Sequence, residues 1–94
     1  MTTIKFDRNC AGWTNEDYRN QCFLNLQTLY ISEILKSRGY LYLNNIYEIL
    51  GVQWDPNWNN ICFLAEFGEL YYEIERDEEN EEYLIKIHQF KIHQ

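Results

Sequence analysis

Two hydrophobic periods divide the chain. Between residues 15 and 38 apolar side chains recur at spacings of three and four, and from Ile61 onward the spacing falls to two. The first period predicts a long helix over 15–38. Thr14 stands in its N-cap position, and Thr14-x-x-Asp17 is a loose relative of the capping box. Glu16 and Asp17 fall in the first turn, where the helix dipole favours acids. Lys36 and Arg38 close the last turn, and Gly39 takes the stop position.

That helix is apolar on two sides. Tyr18, Cys22, Phe23, Leu26, Leu29, Tyr30 and Ile34 form the wider stripe, which is the expected core face. Leu24, Ile31 and Leu35 fall together on a second, narrower stripe, and leaving them in water would forgo roughly 1.5–3 kcal/mol each. The expected cover is the chain's own second helix, through Ile46, Ile49 and Leu50. The alternative is the same stripe of another copy, which makes the protein either a monomer or a homodimer through the long helix. The short connection from Gly39 to Asn44 favours the internal cover.

The remaining elements are shorter. Residues 1–13 read as an irregular or briefly extended lead-in, and 40–43 as extended. Asn44 is the expected cap of a helix over 45–50 that Gly51 ends. Residues 53–60 carry turn chemistry around Pro56. Strands are expected over 61–66, 70–76 and 83–92, with turns at 67–69 and 77–82. In the last strand Ile85 and Ile87 are out of phase with Phe90 and Ile92, which predicts a bulge or strand end near His88-Gln89. The pattern predicts an α+β fold as a single domain, 1–94. A long N-terminal helix and a short second helix pack on a three-stranded antiparallel β-meander. Lys-Ile-His-Gln occurs at 86–89 and again at 91–94, an offset that suits no repeat architecture.

Charge changes this picture in one place. Nine acids lie between Glu66 and Glu82 against a single Arg76, so this segment carries −8 and the rest of the −7 chain sums to +1. Such a segment repels nucleic acid and attracts basic surfaces within a Debye length. Hydrophobic content of 46% and aromatic content of 17% are enough for the 94 residues to fold despite that charge. No apolar run approaches the ~20 residues of a membrane span, and Met1 to Asp7 lack the apolar stretch of a signal peptide. These features predict a protein that is cytosolic in the cell where it is made. Cys10, Cys22 and Cys62 read as free thiols.

Candidate chemistry is sparse. His88 and His93, five residues apart, point to opposite faces of a regular strand and make a poor metal pair. Gly12, Gly39, Gly51 and Gly68 are isolated, so no phosphate loop is present, and nothing local activates a cysteine. The run from Asp77 to Glu82 lacks the mid-loop glycine of a calcium loop. The expectation is a protein without catalytic residues, cofactor or metal. What remains is a partner-binding surface of Glu69, Tyr71, Glu73, Glu75, Asp77, Glu78, Glu79, Glu81 and Glu82. Within it Glu73, Glu75 and Asp77 share one strand face at ~6.7 Å intervals, a spacing that can imitate a phosphate backbone. The plainer reading is the solvent face of a one-sided sheet, acidic to discourage edge pairing.

The run Gly39-Tyr40-Leu41-Tyr42-Leu43-Asn44-Asn45-Ile46-Tyr47-Glu48-Ile49-Leu50-Gly51 resembles a segment of small uncharacterised proteins of phages and integrative elements in Gram-positive bacteria. The motif is confined to 39–51, and the likeness of architecture spans 20–75. The Trp54-Asp55-Pro56 stretch departs from the longer, Gly-rich connection of those proteins. The resemblance implies a mobile-element origin and supplies no catalytic residues. Together with the acidic segment it predicts a non-enzymatic protein-binding module. Its partner would be a basic protein surface rather than nucleic acid or membrane, which makes it a candidate inhibitor of a host nucleic-acid-handling enzyme such as a CRISPR effector. A phage structural or assembly accessory protein and an immunity protein against a basic toxin are the alternative classes.

Overall fold

The computed structural model describes residues 2–53 and 61–90. The expected turn around Pro56, Ile92 of the expected last strand, and His93 lie outside the described residues. In chain order the elements are β1 (Thr2–Phe6), α1 (Asp17–Arg38), β2 (Tyr40–Tyr42), α2 (Leu43–Leu50), β3 (Cys62–Leu64), β4 (Glu69–Asp77) and β5 (Glu82–Phe90). A single 3₁₀ turn, Ala65–Phe67, lies between β3 and β4. The mixture of helices and antiparallel strands is α+β.

The sheet is three-stranded and antiparallel, but its members differ from the expected meander. Its order is β1-β5-β4, while β3 leaves it to pair with β2 in a separate two-stranded ladder. The N-terminal residues are therefore a strand. Ile4 and Phe6 alternate inward opposite Ile85 and Tyr83, and all four are buried. A segment of two apolar residues carries too little pattern to be read as a strand by itself. Its partner, the central strand β5, supplies the missing face. Pairing of β4 with β5 keeps one register from Asp77↔Glu82 to Glu69↔Phe90, so no bulge occurs near His88-Gln89. Phe90 simply points outward. Gln89 points the other way, and its Nε2 donates to Leu64 O at 2.6 Å and to Gly68 O at 3.0 Å.

Helix α1 lies against the inner face of the sheet and also contacts β2 and α2. Its orientation reverses the sequence expectation. Leu24, Ile31 and Leu35 are buried, and Asn20 and Thr28 continue the same stripe into the core. The stripe expected in the core faces water instead: Tyr18 is 73% exposed, Leu26 64%, Leu29 66% and Tyr30 55%. Phe23 and Ile34, at the margins, are partly buried. The narrow stripe is covered internally, and α2 contributes Ile46 and Leu50 to the same core.

Polar anchors fix this rotation. Asn20 Oδ1 accepts from Thr14 N at 2.8 Å and its Nδ2 donates to Thr14 O at 2.9 Å, which satisfies a buried amide on both sides. Thr14 is thereby committed to Asn20, and the N-cap falls on Glu16 rather than Thr14. Asn44 likewise lies inside the first turn of α2, whose cap residue is Tyr42; Tyr42 N donates to Asn45 Oδ1 at 3.1 Å. Gly39 and Gly51 end their helices at φ 86° and 73°, a left-handed conformation that glycine adopts without Cβ strain. At Gly12 the demand is for space, since a Cβ there would lie 2.5 Å from the Phe23 ring.

Leu24→Ala or Ile31→Ala should cost about 2–5 kcal/mol in urea unfolding, as deletions in a packed core do. Leu29→Ala should stay within about 0.5 kcal/mol of the parent, as an exposed substitution does. The opposite ranking would restore the wide stripe to the core.

Candidate functional site

The acidic segment folds as the β4–β5 hairpin with its four-residue turn, Glu78 to Glu81. Inner and outer faces follow from strand alternation. Leu70, Tyr72, Ile74 and Arg76 face α1, and Tyr72 Oη lies 3.0 Å from Ser32 Oγ. Tyr71, Glu73 and Glu75 stand on the outer face beside Leu84, Lys86 and His88 of β5. Lys86 is directly across from Glu73 and its Nζ donates to Glu75 Oε1 at 3.0 Å. His88 Nε2 lies 3.5 Å from Glu73 Oε1, and its ring stacks on Phe90 with centroids 5.8 Å apart. The carboxylate row down β4 is real, but a neighbouring strand interleaves it with Lys86 and His88.

The other acids separate by use. Asp77 accepts from Asn80 N at 3.2 Å and Asn80 Nδ2 at 2.8 Å, closing the turn. These bonds hold its carboxyl below the ordinary range. Glu82 is buried at the start of β5. Glu69 reaches Lys36 at 3.9 Å and Glu81 reaches Arg8 at 3.8 Å, both as exposed pairs of small net worth. Glu78 and Glu79 are exposed at the hairpin end. The expected binding set is thus split among a paired outer face, a structural turn residue, a buried residue and a free acidic tip.

Arg76, the segment's single cation, is consumed in holding the fold together. Its Nε donates to Asp17 Oδ1 at 3.0 Å and its Nη1 to Asp77 O at 2.8 Å and Glu82 O at 3.1 Å. Tyr83 Oη donates to the same Asp17 oxygen at 2.8 Å beneath the guanidinium. Burial, and after it the Asp17 carboxylate, raises the Tyr83 phenol above its usual value. Sequence reasoning placed Asp17 in the helix first turn and did not see this lock, because its members are 59 and 66 residues apart.

Beta-4 is an edge strand, so its carboxylates also discourage pairing with another chain. Elsewhere, a cleft of about 320 Å³ lies between α1 and the turn before β4. Its polar lining is Ser32, already bonded to Tyr72, with the Lys36–Glu69 pair. Among the described residues no three His, Cys, Asp or Glu side chains are placed to hold a metal, and no helix is long and apolar enough to cross a membrane. Cys10 is buried, which pushes its thiol up, while Cys22 and Cys62 are exposed.

The hairpin lock has a pH signature. Tyr83 and Tyr72 have raised folded values, so the stability they contribute is complete below their unfolded value near 10 and is lost as pH rises through the folded values. Asp77 has a lowered value, so its contribution is present above the unfolded carboxyl value and is lost as pH falls through the folded one. Tyr83→Phe should cost about 0.5–1.5 kcal/mol at neutral pH and flatten the alkaline fall in melting temperature. Asp77→Ala should lower the melting temperature at neutral pH, with the difference from the parent closing as pH falls into the acid limb. No protein-family model, curated protein or solved structure matches this chain.

Proposed function

We propose that this protein is a non-enzymatic binding module that presents the end of its β4–β5 hairpin to a basic protein surface. The observation that carries the reading is the turn itself. Glu78, Glu79 and Glu81 project at the hairpin end, and Glu81 sits at φ 51°, where a non-glycine residue is strained. Asparagine or glycine relieves that strain, so the turn keeps an acid at a cost in stability. Strain of this kind recurs at contact sites, and here it falls on an exposed acid.

The outer face supports the tip in a secondary way. Tyr71, with centroids 5.4 Å from Phe90, offers an aromatic edge next to Glu73 and Glu75. The Lys86–Glu75 and Arg8–Glu81 pairs are exposed enough on their carboxylate side for a partner's Arg or Lys to displace them. The interleaved Lys86 weakens the likeness to a phosphate backbone and favours a partner with a few discrete cations. In a phage or integrative element such a module acts by blocking a basic channel of a host nucleic-acid enzyme, the class to which a CRISPR effector belongs. Free DNA and RNA are repelled.

Affinity capture from the bacterial host's lysate tests the reading. A basic protein should be retained by the parent, elute at raised salt, and be lost on Glu78→Lys, Glu79→Lys, Glu81→Lys combined, mainly through slower association. Glu81→Gly should separate the two roles of that residue, raising stability by about 0.5–1 kcal/mol while weakening capture. Retention indifferent to both salt and the triple reversal would refute the proposal.

A further inference from the structure

Helix α1 carries a second surface, independent of the hairpin. Tyr18, Cys22, Leu26, Leu29 and Tyr30 line the side of the helix away from its buried Leu24–Ile31–Leu35 stripe. The four large side chains present roughly 500 Å² of exposed apolar surface, within the size range of the largest and often functional patch on a monomer. No charged residue occurs in the thirteen positions from Asn20 to Ser32. An ordinary solvated helix face of that length carries charges at three- and four-residue spacing. This one confines them to its ends.

We infer that this face pairs with the same face of a second copy, with the two α1 helices antiparallel about a two-fold axis near the level of Leu26. Three features select that occupant. A two-fold interface must be self-complementary, and an apolar middle flanked by Arg19 at one end and Glu33 at the other meets that condition. Antiparallel packing centred on the patch brings Arg19 toward Glu33 of the second copy and Glu16 toward its Lys36, whereas parallel packing sets Arg19 beside Arg19 and Glu33 beside Glu33. The area is the third feature. A stable interface buries about 800 Å² per partner, and the apolar patch with its flanking Arg19, Asn25, Glu33 and Ser37 approaches that figure. The existing Arg19–Glu16 pair at 3.2 Å is exposed on both sides and is readily exchanged for intermolecular partners.

The register makes Cys22 a reporter. It lies opposite Tyr30 of the second copy and about two helical turns from the second copy's Cys22, out of disulfide reach. Cys10 is buried, and Cys62→Ser removes the other exposed thiol.

Sedimentation of the full chain should give a concentration-dependent mass rising from 11.5 kDa toward twice that value. Leu26→Glu with Leu29→Glu, both at exposed positions of the protomer, should abolish the dimer without lowering the folded content seen by circular dichroism. Arg19→Glu should weaken it by roughly threefold to tenfold, since symmetry counts each exposed pair twice. Adding Glu33→Arg to that variant should restore the affinity. Under oxidised glutathione, Tyr30→Cys in the Cys62→Ser background should form a covalent dimer through Cys22, and the Cys62→Ser parent should not. A monomer at every concentration overturns the proposal and returns the face to a different chain. A dimer indifferent to the Leu26/Leu29 pair, or strengthened by Arg19→Glu alone, overturns it as well.

Discussion

The rotation of α1 about its own axis is the constraint from which the rest of the molecule follows. The helix has apolar residues on both sides, so hydrophobic burial alone leaves its setting nearly undecided. Polar groups at its N-terminal end decide it. Asn20, closed on Thr14, and Asp17, held by Arg76 and Tyr83, make these bonds with the Leu24–Ile31–Leu35 stripe facing the core. An unsatisfied buried amide costs about 1–3 kcal/mol, so the stripe that carries Asn20 enters the core with Thr14 closed on that amide. Phe23, at the margin, then stacks on Phe6 with centroids 5.5 Å apart, beside Trp13 and Tyr83.

Much of the fold was legible as elements, and less of it as faces. The long helix ended at Arg38 as its basic last turn and Gly39 require, and the hairpin fell within a residue or two of its expected strands. The core face of α1 was misread because the buried stripe is spelled Asn20, Leu24, Thr28, Ile31, Leu35, with polar residues at two of its five positions. A hydrophobic count scores these as solvent positions. Between Arg19 and Glu33 there are no charges to mark which side is wet, so the usual polar reference was missing. The third strand was lost for a different reason. Pairing between Thr2–Phe6 and β5 spans most of the chain, and no local pattern encodes a contact of that range.

The candidate site divided along the same line. Which residues are acidic is sequence information, and the hairpin that gathers them was expected. What each carboxylate is bonded to is tertiary information: Lys86 across from Glu73, Asn80 against Asp77, the burial of Glu82, and the commitment of Arg76 to Asp17. These partners move the centre of negative charge from the flat of β4 to the hairpin end. Formal charge along a chain therefore overstates how much of it a partner meets. The arginine that nominally offsets the acids is bonded to Asp17 and to the backbone carbonyls of Asp77 and Glu82 rather than to the tip carboxylates.

The two surfaces lie on opposite sides of a two-layer structure. The carboxylate face of the sheet points away from α1, and the apolar face of α1 points away from the sheet. A sheet and a helix packed together separate the outer carboxylates from the helix face by about 10 Å or more, a full Debye length at physiological salt. Self-association through α1 is therefore compatible with a chain of charge −7, because the concentrated negative segment is kept from the seam by the protein's own core. The arrangement also sets valency. A pair joined along α1 turns both hairpins outward, so a basic target with two sites, or two copies of one site, would be engaged at the effective concentration fixed by a rigid body rather than by a linker. Burying the narrow stripe is what permits this. Had the wider stripe formed the core, three residues would have been left outside, too few for an interface.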